Sequence, residues 1–319
     1  MVTDRCISRR QLLAATASGV VAAGLAPLAA ESETKGGGRS PAPFRYCLNT
    51  GTIRGHKRSL EQEIEIAANA GYDAIEVWID RINDFRRRGG STKDLRKRIA
   101  DLGLTVESAM AFPRWLVDDD TRRAQALEQA GREMSMVAEI GGKRIAAPPV
   151  GATNRSGLDL MKAAERYRAL LEVGDETGVT PQVEIWGPSG NLSRLGEAAF
   201  VAIESGHPKA CLLLDVYHIY KGGSDFHGLK LLSSRMIQVF HLNDYPGDPP
   251  RDRIRDADRV YPGDGIAPLS QILRDLYHNG GGTVLSLELF NPTYWQQDAL
   301  AVSKTGLEKM KAAVRRALG

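Results

Sequence analysis

From residue 43 onward the chain alternates between two apolar patterns. Short, nearly unbroken apolar runs occur at 44–49, 73–78, 104–110, 143–148, 180–186, 210–216, 236–242 and 283–289. Runs this short read as strands buried on both faces. Between them lie stretches near 59–70, 91–102, 119–139, 157–178, 192–205, 226–233, 267–279 and 297–317. Their apolar residues recur every three to four positions, the spacing of an amphipathic helix. Gly71, Gly103, Gly141, Gly178, Gly206 and Gly280 each follow a helical stretch, where a left-handed cap is favoured. Eight strand–helix units predict a single-domain α/β fold, a (β/α)8 TIM barrel over 43–319. A doubly wound open sheet is the competitor. It expects a glycine-rich phosphate turn after the first strand, and none is there.

Composition changes this picture only at the N-terminus. The 319 residues are 42% hydrophobic and 25% charged, ordinary for a soluble enzyme. The net charge of +3 falls to +1 once residues 1–30, with Arg5, Arg9 and Arg10 against Asp4, are set aside. No nucleic-acid surface is indicated. Ser8-Arg9-Arg10-Gln11-Leu12-Leu13 precedes an Ala/Gly-rich run ending near Ala30. Residues 1–30 therefore read as a twin-arginine signal peptide, which implies the twin-arginine export machinery as a partner and a periplasmic or secreted protein. The run is too poor in large apolar residues for stable membrane insertion. Residues 31–42 read as a flexible linker. Cys47 and Cys211 fall on non-neighbouring strands and are expected as buried thiols without a disulfide. A homo-oligomer is left open.

The chemistry concentrates at four strand ends. Glu184, Asp215, His241 and Glu288 close the fifth to eighth apolar runs. The C-terminal strand ends of a parallel barrel open onto one face. A charge in a buried strand is costly unless paired or metal-bound, and four at one rim point to a metal site. Three oxygens and one imidazole suit a hard or borderline divalent ion: one Mn²⁺, with Mg²⁺, Co²⁺ or Zn²⁺ as alternatives. His218, three residues after Asp215, is expected over this rim as a substrate or outer partner. Trp186, Trp78, Trp115, Glu76 and Asn49 are further rim candidates, each against a plain packing role. Lys143 starts the fourth strand and reads as structural. Arg86-Arg87-Arg88 reads as a solvated loop face. The loop 245–262 is long, charged and proline-rich, and reads as a lid, a specificity loop or an ordinary insertion.

The order Glu184, Asp215-x-x-His218, His241, Glu288, with Gly263-Asp264-Gly265 ahead of the eighth helix, resembles the xylose isomerase-like barrel superfamily. More narrowly it is similar to the sugar phosphate isomerase/epimerase group, with its ketose 3-epimerases and inosose dehydratases. The resemblance implies that Glu184 and Glu288 bind the metal and act as the acid/base pair. Asp215 and His241 would complete the ligands, and His218 would bind substrate. Two positions depart: the epimerases' second glutamate is Gly190 here, and their arginine after the ligand histidine is Gly247, leaving Arg251 and Arg253 as the nearest candidates.

Two carboxylates across a metal suit proton transfer beside a carbonyl through an enediolate. The expected function is a divalent-metal-dependent sugar isomerase or epimerase. Its substrate would be an unphosphorylated sugar, keto-sugar or cyclitol, since phosphorylated sugars are mainly cytoplasmic. A lyase or dehydratase acting on a keto-sugar or inosose shares the intermediate. A trinuclear phosphodiesterase of the endonuclease IV type is disfavoured, because the histidines it needs are missing. A non-catalytic periplasmic sugar-binding protein is the alternative of another class.

Overall fold

Eight short strands run parallel: β1 (Arg45–Asn49), β2 (Ala74–Trp78), β3 (Thr105–Met110), β4 (Arg144–Ala147), β5 (Thr180–Glu184), β6 (Leu212–Asp215), β7 (Ile237–His241) and β8 (Val284–Leu287). The computed structural model describes residues 43–319. The signal segment and linker expected over 1–42 lie outside the described residues. Strand order is β3-β2-β1-β8-β7-β6-β5-β4. Because β1 pairs with both β2 and β8, the sheet curls on itself. This is the TIM barrel expected from the alternation, with one seam between β3 and β4. Side chains cross that seam. Arg144 Nη1 on β4 donates to Glu107 Oε2 on β3 at 3.0 Å, and Arg45 Nη1 on β1 donates to Glu107 Oε1 at 2.6 Å.

The helices are α1 (Leu60–Ala70), α2 (Ile79–Arg87), α3 (Thr92–Asp101), α4 (Asp120–Glu139), α5 (Leu160–Thr177), α6 (Leu195–Glu204), α7 (Val216–Lys221), α8 (Leu269–His278) and α9 (Ala299–Leu318). All six cap glycines named above have positive φ. Two helices lie beyond those expected. In α2, Ile79, Ile82 and Phe85 are buried at a three-residue spacing. Arg86 and Arg87 are therefore exposed on its last turn, next to the carbonyl end of the dipole, rather than in a loop. The second is α7, described below. The stretch 226–233 forms a 3-10 turn, Phe226–Leu231. Among the described residues no helix is long and apolar enough to cross a membrane.

Alternation along the strands stacks the barrel interior in layers. Cys47, Ala74, Leu213 and Val239 belong to one small internal apolar cluster. Two residues further along the same strands stand Asn49, Glu76, Asp215 and His241, all buried. The polar layer is thus the next step of the same periodicity. Cys47 and Cys211 are buried free thiols, and burial pushes Cys211 up to about 12, which leaves it unreactive. Lys143 lies 4.0 Å from Glu107, in keeping with a structural role.

One buried charge lies away from the mouth. Glu63 on α1 has no hydrogen-bond partner for either oxygen, and its nearest cation is Arg81 Nε at 3.4 Å. Burial raises its pKa to about 7, which Arg81 only partly offsets. A carboxyl with a raised folded-state pKa favours folding below its unfolded value and loses that stability as pH climbs through 7. Glu63→Gln is therefore expected to be near neutral at pH 4.5 and stabilising by roughly 3 kcal/mol at most at pH 8. Urea unfolding at the two pH values checks this. Equal effects at both would refute it.

Candidate active site

Asp215 is both the last residue of β6 and the N-cap of α7, and this explains the Asp-x-x-His spacing. Its Oδ1 accepts the backbone N–H of His218 at 2.9 Å, the usual bond from a cap to the third helical residue. The cap fixes His218 above the strand end. It also turns Oδ2 inward, toward His241 Nδ1 at 3.6 Å. Asn243, two residues past His241, donates to the same Oδ2 at 2.9 Å. Its Oδ1 accepts the backbone N–H of Tyr217 at 3.0 Å.

His241 is held from behind. Its Nε2 lies 2.9 Å from Glu76 Oε2, which also accepts from Asn49 Nδ2 (3.0 Å) and Ser286 Oγ (2.8 Å). Sequence placed Glu76 among the substrate contacts. The structure sets it under the histidine instead, fully buried and outside the cavity lining. Asn49 likewise braces rather than lines, bridging Glu76 and Glu288 Oε1 at 3.0 Å each. With Nε2 donating to Glu76, Nδ1 faces Glu288 Oε2 at 3.2 Å without hydrogen-bond alignment. A carboxylate–histidine pair of this kind is how proteins orient a metal-ligating imidazole.

Asp215, His241 and Glu288 each offer a ligand atom within 4.8 Å of the others. Among the described residues this is the one group of three such side chains. Two carboxylate oxygens and an imidazole nitrogen with no hydrogen-bond partner, converging in a dry interior, are a donor set that fits a divalent cation once the imidazole gives up its proton. Glu184, the fourth expected ligand, is not in that group. It is buried in the same cavity wall, and its Oε2 has no partner. Burial first, and Glu288 second, push its pKa up to about 8. Burial alone would also raise Asp215, but Arg259 and His218 outweigh it and hold that carboxyl well below the usual range. Burial would lower His241, yet Glu288 and Glu76 hold it well above its ordinary value.

Arg259 is the residue the sequence reading missed. Arg251 and Arg253, the candidates chosen instead, are exposed and do not line the cavity. Lys221 Nζ binds the carbonyls of Arg251 and Asp252 and holds that part of the loop outward. Eight residues beyond Arg251 the chain turns back in. Arg259 Nη1 donates to Asp215 Oδ2 (3.0 Å) and Glu288 Oε2 (2.8 Å), and Nη2 reaches His218 Nε2 at 3.1 Å. The guanidinium lies over Tyr217, 4.5 Å from the ring centre. Since arginine only donates, His218 Nε2 accepts, and burial lowers the pKa of that ring.

The loop 245–262 is tied at both ends. Asp244 and Val260 exchange backbone bonds of 3.0 and 2.9 Å. The Asp244 carboxylate accepts the N–H groups of Tyr245, Gly263, Gly265 and Ala267. A Cβ on Gly265 would sit 2.4 Å from Asp244 Oδ1, so the Gly263-Asp264-Gly265 turn is a wrapping around this aspartate. Gly190 has a similar reason. A Cβ there would meet the Arg155 carbonyl at 2.3 Å, so the loop after β5 packs by backbone on the loop after β4.

Above these residues opens a cavity of about 520 Å³. Its lining combines Glu184, Glu288, His218, Arg259 and Asp256 with the rings of Trp78, Phe112, Trp186 and Phe290. Trp186 and Trp78 are thus at the mouth as expected. Trp115 is not: it is fully buried, with Nε1 on the Pro148 carbonyl at 2.7 Å.

A parallel barrel with buried Asp, His and Glu at its strand ends, and a second glutamate on the same cavity, is a site that can hold a divalent metal beside an acid/base carboxyl. The chain belongs to the xylose isomerase-like TIM barrel family, whose model matches residues 64–313. Its relatives are enzymes. The inosose isomerase of Halalkalibacterium halodurans is 32% identical over 271 residues, covering 82% of this chain and 93% of that protein. The inosose isomerase of Bacillus velezensis is 25% identical over 275 residues, covering 85% and 97%. The 3-dehydroshikimate dehydratase of Pseudomonas aeruginosa is 27% identical over 268 residues, covering 79% of this chain but 39% of that longer protein. Among solved structures, the IolI protein with a bound zinc atom superposes with a TM-score of 0.80 at 22% identity, over 86% of this chain and all of that one. The non-catalytic sugar-binding alternative finds no support among them.

Proposed function

We propose that the protein is a divalent-metal-dependent isomerase or epimerase that moves a proton beside the carbonyl of an unphosphorylated keto-sugar or keto-cyclitol. The observation that carries this reading is the pair Glu184 and Glu288 on one cavity, Glu288 bonded to Arg259 and Asn49 and Glu184 desolvated with one oxygen left without a partner. Two carboxyls in unlike environments are what acid and base roles require. Glu288 removes the carbon-bound proton, and Glu184 returns one to the resulting enediolate. Arg259 and His218 orient the substrate oxygens, and Asn49 and Arg259 hold Glu288 in place. Asp215, His241 and Glu288 would hold the metal, with Glu184 beside them. When bound, the ion supplies positive charge where negative charge develops on the substrate. The oxygen-rich donor set suits Mn²⁺, and the zinc in the related IolI structure supports zinc as well. Four inosose isomerases among the relatives support the keto-cyclitol side of the substrate class. The Ser8-Arg9-Arg10 segment supports export from the cytoplasm.

A lyase is the second reading. A protonated Glu184 can equally give its proton to a departing β-oxygen, and two relatives are 3-dehydroshikimate dehydratases. Metal-loaded protein incubated in D₂O with inososes and unphosphorylated keto-sugars separates these by NMR. Isomerisation replaces a carbon-bound hydrogen with deuterium and conserves mass. A lyase produces a new alkene signal. Binding of these compounds without exchange or elimination would overturn both.

A further inference from the structure

We propose that the aromatic side of the mouth is a second subsite, which takes a ring glycosidically linked to the sugar. The substrate is then a glycoside rather than a free monosaccharide or cyclitol. This rests on the proposed function for the inner ring and names a subclass of its substrates.

The rings of Phe290, Trp78, Phe112 and Trp186 form a continuous arc, with successive centroids 6.1, 5.4 and 6.1 Å apart. Phe290 stands two residues after Glu288, and Trp186 two residues after Glu184. Both rings lie just past the last residue of their strands. The same cavity is lined by Glu184, Glu288, His218, Asp256 and Arg259, whose guanidinium lies 5.2 Å from the Phe290 ring centre. A six-membered ring held between Glu184 and Glu288 has its hydroxyls among those charges, and one face reaches only the inner rings. Phe112 stands further out, in the loop after β3, and is 38% exposed. An apolar ring at the open end of a polar-floored pocket is the mark of a ligand that continues outward. The size agrees. At roughly 30 Å³ per water, 520 Å³ holds about 17 waters, more than a hexose of roughly a dozen heavy atoms needs. Thr153 and Asn154, from the loop after β4, line the same cavity and offer polar groups to a ring that carries hydroxyls. Flat apolar faces with a few polar groups suit either an aromatic aglycone or a second sugar, since both present a C–H or π face for stacking.

Calorimetric titration of the full chain tests this without requiring turnover. The ligands are methyl β-D-glucoside, phenyl β-D-glucoside and cellobiose. Phenyl glucoside is expected to bind about tenfold more tightly than methyl glucoside, the order of one good stacking contact. Phe112→Ala brings that ratio to within about twofold, and Phe112→Leu leaves it intermediate. Preference for the phenyl ligand alone assigns an aromatic aglycone; preference for cellobiose as well assigns a second sugar. Equal affinities, a ratio that survives Phe112→Ala, or no saturable binding would each overturn the subsite. Deuterium exchange into an inosose without this preference sinks the subsite but leaves the reaction standing. A clear preference with no exchange into any keto-sugar sinks the reaction alone.

Discussion

Replacing Glu288 or Glu184 by glutamine is expected to cut turnover by about 10³-fold or more, in keeping with the ~10²–10⁴-fold that a positioned acid or base contributes. The two variants are expected to differ in every other respect. Without metal, burial and Glu288 push the Glu184 carboxyl up to about 8, so an amide of the same shape is a close substitute for its protonated form. The variant keeps its fold, melts near the native temperature at pH 4.5 and above it at pH 8, because it lacks the carboxyl whose stability the native chain loses as pH climbs through about 8. Glu288 instead accepts Nη1 of Arg259 and Nδ2 of Asn49. Its amide removes a counter-charge from a buried guanidinium and a donor atom from the metal group, so that variant also binds metal more weakly. Steady-state kinetics, D₂O exchange and calorimetric metal titration on both proteins check the pattern. Full exchange activity in either would end the acid/base assignment.

Arg259→Met is expected to move two quantities in opposite directions. Turnover falls about 10²-fold, because the group that orients substrate beside Glu288 and His218 is gone. Metal affinity rises by roughly tenfold, because a cation 3.0 Å from Asp215 and 2.8 Å from Glu288 no longer competes by Coulomb repulsion. Stability should show the same coupling. In chelator, three carboxyls that share the guanidinium lose it, a change of the kind that costs about 3–5 kcal/mol at a buried pair. Added metal should restore most of that loss. Melting curves with chelator and with Zn²⁺ or Mn²⁺ give the comparison. A metal affinity that falls along with turnover would show that Arg259 supports the ligands instead of opposing the ion.

The four strand ends were legible because burial and alternation leave few readings for a charge after Leu212-Leu213-Leu214 or between Leu287 and Leu289. The Asp-x-x-His spacing was legible as a motif, though its cause, a cap on α7, was not. Arg259 was hidden for a different reason. Proximity along the chain pointed to Arg251 and Arg253, but a loop's path depends on where its ends are tied. Those ties are Asp244 with the Gly263-Asp264-Gly265 turn, and Asn291 Nδ2 on the Arg259 carbonyl at 3.0 Å. The arginine just ahead of that glycine turn was the available signal. Glu76 was misplaced because a strand pattern tells which side chains point inward but not which of them a neighbour on another strand, here His241, will cover. The α2 helix had its signal in Ile79, Ile82 and Phe85, and three consecutive arginines drew attention from it.

The seam between β3 and β4 divides the molecule unevenly. The candidate ligands and acid/base pair come from β5 to β8, joined by continuous backbone pairing. Phe112, Thr153 and Asn154 sit on the two loops that flank the seam, where β3 and β4 share no ladder and side chains such as Glu107 and Arg144 bridge the sheet. Insertions or exchanges there disturb no shared ladder and no electrostatic balance at the reacting centre. Descent with modification can therefore retool what the barrel accepts while inheriting its reaction intact.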